Sequence, residues 1–359
     1  MDPKIIAFHL PQYHSFPEND KWWGTGFTEW HNVKKARPLF ENHYQPRIPN
    51  KYNYYCMLDV DTIKWQCEIS QLYGIDGFCY YHYWFDGKLL MEKPLEILLT
   101  NTTIDQKYCL CWANEPWTRS WDGKNGVVLI NQNYGGTDEW EEHFKYLIPY
   151  FMDSRYIRVD GKPVLIIYRA NSIPRFSQMV LYWKKRSHEI GLEGLYVIEE
   201  NNYYQKTSVS EFTDAALDFE PMYTLRFGRG FKEKLAQRIR SEFLDYKYHT
   251  KVRFYSYDSI WNSIINRKTK ESGKDYIQSG FVDWDNTPRR GNDGIVFTGG
   301  NPKKFENYIT KLLENTKKRN QKLLFINAWN EWAEGAYLEP DEERKYDYLN
   351  ALKQAKKNF

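Results

Sequence analysis

The sequence predicts an α/β protein with a (β/α)8 barrel of the TIM type, folded as a single domain with long loops after the strands. Short apolar segments, typical of buried parallel strands, recur eight times along the 359 residues. Longer helical patterns follow several of these segments. No glycine-rich phosphate loop follows any strand, which favours the closed barrel over its alternative, an open doubly wound sheet.

The eight candidate strands are short and rich in apolar, β-branched and aromatic residues. They are predicted at residues 4–10, 75–81, 108–113, 164–168, 195–199, 215–219, 295–298 and 323–328. Helices are predicted where apolar residues recur at helical spacing, at residues 59–73, 140–151, 174–190, 302–319 and 341–358. Strand followed by helix, repeated along a chain, is the pattern of a parallel sheet covered by helices.

Residues 222–294 interrupt this alternation. They combine basic helical stretches with a loop-like segment at 281–293. We interpret them as an insertion between the sixth and seventh strands that covers part of the site. Because neither an internal repeat nor a linker-like composition marks a boundary, we predict one domain over residues 1–359.

Aromatic residues are unusually frequent, since 14 Trp, 29 Tyr and 20 Phe make up 18% of the chain. A core does not require so many Trp and Tyr, whose polar atoms need partners when buried. Their flat faces suit the apolar faces of sugar rings. The formal net charge of +3 is too small to favour nucleic acid or an anionic membrane as partner. The composition therefore favours a carbohydrate ligand.

The chain opens with Met1-Asp2-Pro3-Lys4 and enters a strand-like segment without the charged and apolar regions of a secretory signal. No apolar run is long enough to span a membrane. The five cysteines are odd in number, and Cys79, Cys109 and Cys111 lie inside predicted strands. These features are typical of a reducing compartment. We predict a cytoplasmic protein, with peripheral attachment to the inner face of the membrane as a further option.

The most informative segment follows the last predicted strand, 323–328. Glu331 and Glu334 stand three residues apart among tryptophans, before Gly335. Residues three apart share a face on a helical turn but not in a strand, so we predict a helical turn after Asn330 that directs both carboxyls at one ligand. A protonated and an ionised carboxyl together are the groups that break or form glycosidic bonds. The competing interpretation is structural, with one Glu capping a helix and the other paired with an arginine.

A second Asn-Glu pair, Asn114-Glu115, follows the third predicted strand between Trp112 and Trp117. One interpretation of the two Asn-Glu pairs makes Glu115 the acid and Glu331 the nucleophile of a retaining glycosidase. That mechanism requires the two carboxyl groups to lie about 5–5.5 Å apart. A position after the third rather than the fourth strand disfavours that pairing. We predict that Glu115 and its neighbours contact the substrate.

Further candidates lie at predicted strand ends and in loops, where barrel enzymes place their active sites. Histidines at such positions are more often structural, yet polar side chains there also orient sugar hydroxyls. The additional predicted substrate-binding residues are Tyr13, His14, Trp23, Glu29, Trp30, Tyr81, His82, Trp284, Arg289, Asn330 and Trp332. No spacing of histidines and carboxylates indicates a metal, and we predict no cofactor.

Five segments of unusual composition resemble one known family. They are AFHLPQYH at 7–14, the segment from Trp22 through PLFENHYQPRIP at 38–49, WANEPWTRSWDG at 112–123, WDNTPRRG at 284–291 and NAWNEWAEGAYLEPD at 327–341. In this order they are similar to the WbsX-like proteins of bacterial surface-polysaccharide gene clusters. Those proteins carry a domain similar to the family-99 glycoside hydrolases, the endo-α-mannosidases and endomannanases.

The resemblance implies a (β/α)8 barrel and a Glu-x-x-Glu pair that corresponds to Glu331 and Glu334. It casts Glu331 as the base that deprotonates the 2-hydroxyl of the substrate, and Glu334 as the acid and later base of a retaining reaction. A hydrolase or transglycosylase of surface-polysaccharide metabolism is the implied activity. The alternatives are a glycosyltransferase of O-antigen, lipopolysaccharide or capsule biosynthesis, and a glycan-binding barrel without activity.

Overall fold

The structure is a computed structural model that describes residues 2–119, 127–206, 210–268 and 275–359. Its centre is a barrel of parallel strands in which each strand pairs with its neighbours in the chain. The barrel strands are Lys4–His9, Gly77–Phe85, Tyr108–Trp112, Lys162–Ile167, Tyr196–Asn201, Ala215–Asp218, Asp275–Ile277, Ser279–Phe281 and Leu323–Asn327.

The barrel is nearly closed by two short consecutive segments. Asp275–Ile277 pairs with the sixth strand, and Ser279–Phe281 pairs with the last strand. Only Gln278 separates these segments, so together they fill the seventh of eight positions. Lys4–His9 closes the other side by pairing with both the second and the last strand. The predicted (β/α)8-type barrel is confirmed.

The prediction for the seventh barrel strand was wrong. Ile295–Thr298 is a strand, but it pairs with Arg253–Ser256 in a separate two-stranded sheet. The true seventh position, 275–281, lies inside the region that was interpreted as an insertion. It is short and partly polar, and Gly280 belongs there because an added Cβ would lie 2.7 Å from the ring of Trp261. Apolar character identified a strand without identifying its partner.

Helices cover the outside of the barrel. They are Val60–Leu72, Lys93–Thr100, Thr137–Met152, Phe176–Glu189, Tyr257–Ile265, Pro302–Lys318 and Asp347–Lys357. Pro302–Lys318 shows why such segments form helices. The side chain of Asn301 caps its first turn by accepting from the backbone N–H of Lys304 at 2.9 Å. Phe305 and Ile309, at helical spacing, are fully buried on the inner face, and each burial contributes about 1.5–3 kcal/mol.

Shorter elements stand in the connections. The helices among them are Pro17–Trp23, Glu29–Lys35, Met222–Arg226, Phe231–Tyr248 and Thr287–Arg290. The 3₁₀ turns are Asn50–Tyr52, Ala170–Ser172, Gly291–Asp293 and Trp332–Glu334. The short strands are Lys88–Leu90, Trp117–Thr118, Val128–Ile130, Arg158–Val159, Asn330–Glu331 and Ala336–Tyr337. None of the helices formed by the described residues combines the length and the apolar character needed to cross a bilayer.

The first barrel strand is buried on both faces, as expected for a parallel strand covered by helices. Ile5, Ile6 and Phe8 of the first strand have no exposed surface. Cys79 and Cys109 are buried free thiols in the second and third strands, as their strand positions predicted. That the chain forms one domain over residues 1–359 stays a prediction.

Candidate active site

A cleft of about 1230 Å³ opens at the C-terminal ends of the barrel strands. Its aromatic walls are formed by Tyr81, Tyr83, Trp117, Tyr168, Tyr204 and Trp284. Both carboxylates of the predicted pair, Glu331 and Glu334, line the same cleft. A smaller cavity of about 430 Å³ beside Asp218 and Arg267 contains none of the predicted site residues.

The two carboxylates stand on a tight turn after the last barrel strand, which we call the carboxylate turn (residues 330–335). Asn330–Glu331 forms a short antiparallel ladder with Ala336–Tyr337, and Trp332–Glu334 forms one turn of 3₁₀ helix. Gly335 follows at φ +64°, where an added Cβ would lie 2.9 Å from the backbone nitrogen of Asp285. A helical turn was predicted directly after Asn330; the 3₁₀ turn begins at Trp332, and Glu331 immediately precedes it in the short strand.

Arg289 binds both members of the pair. Its Nη2 donates to Glu331 Oε2 at 3.2 Å, and its Nη1 donates to Glu334 Oε1 at 2.5 Å. Its Nε donates to Glu29 Oε1 at 2.8 Å. The Arg289 side chain is 11% exposed and that of Glu29 is fully buried, so water screens these contacts weakly. One guanidinium therefore holds three carboxylates, in agreement with the arginine pairing that the structural interpretation required.

Charge is concentrated in this cluster. Burial, followed by the charge of the neighbouring Glu334, raises the pKa of Glu331 from 4.5 to about 8. Burial also raises the pKa of Glu29, against the opposing charge of Arg289. Burial alone would lower the pKa of Arg289, but its three carboxylate partners raise it, so the guanidinium stays charged. With a pKa of about 8, Glu331 is mostly protonated at neutral pH.

The carboxylate turn is tied to the first strand of the barrel. The side-chain amide of Asn330 accepts from Leu10 N at 2.7 Å and donates to Leu10 O at 3.0 Å. The hydroxyl of Tyr13 donates to the backbone oxygen of Asn330. Trp332 donates from Nε1 to Glu339 at 2.6 Å. Tyr13, Asn330 and Trp332, predicted as substrate-binding residues, lie beneath the cleft and support the turn.

A second buried network fixes the loop that carries Arg289. Asp285 accepts from His43 and from Gln45, both at 2.8 Å. Arg47 donates to Asp283 at 3.0 Å and to the carbonyl of Gly335 at 3.1 Å. His43, Gln45, Arg47, Asp283 and Asp285 were not among the predicted site residues. In the sequence, the two acidic residues on either side of Trp284 were the indication of this network, because buried carboxylates require partners.

Four further predicted residues line the cleft with the pair, namely Tyr81, Glu115, Trp117 and Trp284. Glu115 contacts Arg169 at 3.5 Å, and its side chain is 41% exposed. Trp117 is nearly buried and meets Tyr83 edge to face, with ring centroids 5.4 Å apart. The structure thus brings residues from the second and third strands and the 284–290 loop together around Glu331 and Glu334.

The other predicted contacts lie outside the cleft lining. His82 faces His143, with Nε2 atoms 2.8 Å apart, and Trp112 donates to the carbonyl of Trp84 at 3.2 Å. His14 contacts the carbonyl of Pro11 at 3.0 Å. These histidines and Trp112 are buried in the core, which is the more common environment of a histidine at a strand end.

Trp23, Trp30 and Asn114 also act through packing and hydrogen bonds in the structure. Trp23 stacks on Phe27, with centroids 5.3 Å apart. Trp30 donates to the carbonyl of Tyr55 at 2.9 Å. The amide of Asn114 accepts from the backbone N–H of Arg169 at 2.8 Å and donates to its carbonyl at 3.0 Å.

Residues 120–123 of the WANEPWTRSWDG segment lie outside the described part of the chain. Among the residues that are described, no group of three or more His, Cys, Asp or Glu side chains is placed to hold a metal ion.

Several cleft residues were not among the predicted contacts. Tyr168 and Arg169 end the fourth strand, and Tyr204 follows the fifth. The guanidinium of Arg169 lies 4.7 Å from the ring centroid of Tyr204, which forms a cation–π contact. Only their position after the C-terminal ends of barrel strands could have identified these residues from the sequence.

The fold places the chain among proteins built on a (β/α)8-type barrel, and solved structures of glycoside hydrolases share it. A glycoside hydrolase-like protein shares the fold with a TM-score of 0.63 and 15% identity, over 99% of this chain and 94% of that one. The GH99 endo-α-mannosidase from Bacteroides thetaiotaomicron, in complex with bis-tris-propane, has a TM-score of 0.58 and 14% identity, over 100% and 97% of the two chains. Identities this low show the fold alone.

The sequence defines the family. The family model described as Glycosyltransferase WbsX matches residues 5–352, and the chain belongs to this family. WxcX of Xanthomonas campestris pv. campestris strain ATCC 33913, itself called an uncharacterized protein, is 33% identical over 357 residues, which cover 98% of this chain and 49% of WxcX. WxcX of strain B100 has the same identity over 356 residues. The chain spans about half of the length of these relatives.

Proposed function

We propose that the protein is a retaining, endo-acting glycan-processing enzyme that uses Glu331 and Glu334 as its catalytic pair. The observation that carries the proposal is the shared contact of both carboxylates with Arg289 inside an aromatic cleft. Two carboxyls that lie side by side, one of them with a raised pKa, can provide an acid and a base at the same point.

The proposed reaction proceeds through the 2-hydroxyl of the substrate. Glu331 takes the proton of this hydroxyl, and the oxygen attacks the anomeric carbon to form an epoxide-like sugar. Glu334 protonates the departing glycosidic oxygen, so the bond breaks without free charge on the leaving group. Glu334 then takes a proton from water or from an acceptor hydroxyl. The oxygen of that molecule attacks the anomeric carbon and opens the epoxide-like three-membered ring, while O2 recovers its proton from Glu331. Two displacements retain the configuration.

Arg289 has a positioning role in this scheme. Its positive charge lowers the energy cost of ionising Glu331, and its N–H groups fix the orientation of both carboxyl groups. The raised pKa falls on Glu331, which the scheme uses as the base. The scheme therefore requires Glu331 to be ionised and Glu334 to be protonated once a sugar hydroxyl faces Glu331.

The setting proposed for this activity is surface-polysaccharide metabolism, in the cytoplasm or at the inner face of the membrane. Membership of a family described as glycosyltransferases makes transfer from an activated donor the alternative. The third candidate is a glycan-binding barrel without activity. No metal or cofactor enters the proposed reaction, and the substrate is a free or lipid-linked oligo- or polysaccharide.

Mass spectrometry of reaction products tests the proposal. Wild type, Glu334→Gln and Glu115→Gln are incubated with α-mannans and lipid-linked glycans, with and without nucleotide sugars. Shortened or rearranged glycans without a donor are expected from wild type and Glu115→Gln, and none from Glu334→Gln. Extension only in the presence of a donor would establish the glycosyltransferase instead. Binding without any change in product mass would establish the binding barrel.

A further inference from the structure

The helix Phe231–Tyr248 exposes a row of large apolar side chains, which we call the apolar stripe. Its members are Phe231, Leu235, Ile239, Phe243 and Tyr246, all between 48% and 81% exposed. They recur at intervals of four and three residues, which places them on one helix face. Single exposed apolar residues are ordinary, but a contiguous row of this size marks an interaction surface.

The opposite face of this helix attaches it to the protein. Leu244 and Tyr248 pack against a small core formed by Val252, Phe254 and Val296. The hydroxyl of Ser241 accepts from the backbone N–H of Phe254 at 3.1 Å. These attachment points lie about half a turn around the helix from the stripe. The helix is therefore fixed by one side, and the stripe faces solvent.

Basic residues flank the stripe. Residues 231–253 contain seven Lys or Arg and three Asp or Glu, so this segment alone has a formal charge of +4, whereas the whole chain has +3. Lys232, Arg240 and Lys247 are exposed on or beside the stripe face. The net charge of the whole chain did not indicate an anionic partner, because acidic residues elsewhere in the chain offset this local excess of positive charge.

A second copy of the chain fits the stripe poorly. A two-fold dimer would place the stripe against itself and bring two positively charged surfaces together. An anionic lipid surface complements both features. Its acyl boundary accepts the apolar side chains, and its headgroup phosphates attract the flanking Lys and Arg.

We propose that Phe231–Tyr248 is an interfacial helix that docks the protein on an anionic phospholipid surface through the apolar stripe and its basic flanks. The helix lies on the bilayer without crossing it, as its charged and apolar faces require.

The same helix borders the glycan cleft, since Lys234, Gln237 and Arg238 line the cleft wall. Arg226 and Arg229 add positive charge to this side of the cleft. Docking brings the cleft to the membrane surface, where it meets glycans that are attached to a lipid through phosphate. This substrate class rests on the proposed function, whereas membrane docking does not.

Vesicle flotation tests the docking. Purified protein is mixed with vesicles of phosphatidylglycerol and phosphatidylcholine in equal parts, or of phosphatidylcholine alone. Wild type is expected to float with the anionic vesicles only. Combining Leu235→Gln, Ile239→Gln and Phe243→Gln should lower the partition constant by at least about a hundredfold, because the apolar transfer is lost.

The matched control places the same substitutions on other helices, at Leu72, Met152 and Leu181, which are 58%, 54% and 55% exposed. It should float like wild type. Lys232→Gln with Lys247→Gln should lower partitioning by roughly 25-fold, at about fivefold for each lysine. Raising salt from about 0.1 M to about 1 M should release wild type, because the Debye length falls to about 3 Å.

Glu334→Gln is expected to float like wild type, which separates a failure of docking from a failure of the proposed function. The proposal is overturned if wild type does not float with anionic vesicles, or if the triple stripe variant floats as well as wild type. A wild-type dimer in analytical ultracentrifugation that the stripe variant dissociates would assign the stripe to a second copy, and would also overturn it.

Discussion

Replacing Glu331 by Gln should make the folded protein more stable at neutral pH. Burial and the charge of Glu334 raise the pKa of Glu331 from 4.5 to about 8. Between these two values the native state binds more protons at this site than the unfolded state. The free energy of unfolding therefore falls as pH rises through this window. Gln is similar in size and does not titrate, so the variant escapes this loss.

The size of the effect follows from the shift. Each pH unit in the window costs about 1.4 kcal/mol, so retaining Glu331 costs roughly 3 kcal/mol at pH 7. A chain of 359 residues that unfolds with about 2.1 cal/mol/K per residue gains roughly 0.75 kcal/mol/K in entropy. The Tm of Glu331→Gln is therefore expected about 4 °C above that of wild type at pH 7, and within about 1 °C of it near pH 4.5.

Thermal unfolding followed by circular dichroism between pH 4.5 and 8 measures this difference. Glu115→Gln is the matched control, because this carboxyl lines the same cleft with a side chain that is 41% exposed. Burial also raises the pKa of Glu115, against the opposing charge of Arg169, so its Tm should exceed that of wild type by less than the Tm of Glu331→Gln does. A gain in Glu331→Gln that does not grow with pH would refute the reasoning, and so would a loss of stability at the alkaline end.

Arg289→Gln is expected to lower the free energy of unfolding in urea by about 3–5 kcal/mol, because the buried Glu29 and Glu331 and the partly exposed Glu334 lose their cation; full wild-type stability would contradict the geometry. Arg289→Lys keeps the charge and should recover part of the loss. Trp117→Ala should weaken glycan binding by about tenfold in calorimetry, whereas Trp23→Ala, outside the cleft lining, should bind like wild type. Tyr13→Phe removes a hydroxyl that braces the carboxylate turn, so we expect a cost of about 1 kcal/mol in stability and a lower kcat at unchanged KM; a changed KM alone would place Tyr13 in the cleft.

Local sequence patterns were sufficient to predict most strands of the barrel. The last strand, Leu323–Asn327, is a continuous apolar run that is buried on both faces, and such a run has few other places in a fold. The strand at the seventh position was missed because its two segments are only three residues long each and mix polar with apolar residues. Ile295–Thr298 is more apolar, yet its partner is Arg253–Ser256. Strand character is local, whereas pairing depends on residues far along the chain.

The same distinction applies to the candidate site. The spacing of Glu331 and Glu334 predicted their shared direction because a helical turn is a local structure. Glu29 and Arg289 form an ion pair across 260 positions, and no pattern in the sequence specifies that contact. Trp112, predicted at the site, is buried in the core; aromatic residues near strand ends serve packing and ligand binding alike, and the sequence does not separate the two.

The attachment of Asn330 to Leu10 joins residues 320 positions apart. Contacts of such separation form late in folding, because the entropy of closing the intervening chain must be overcome first. The carboxylate turn therefore gains its geometry only when the two ends of the barrel meet. Recovery of the proposed glycan-processing activity after dilution from denaturant should report this closing step.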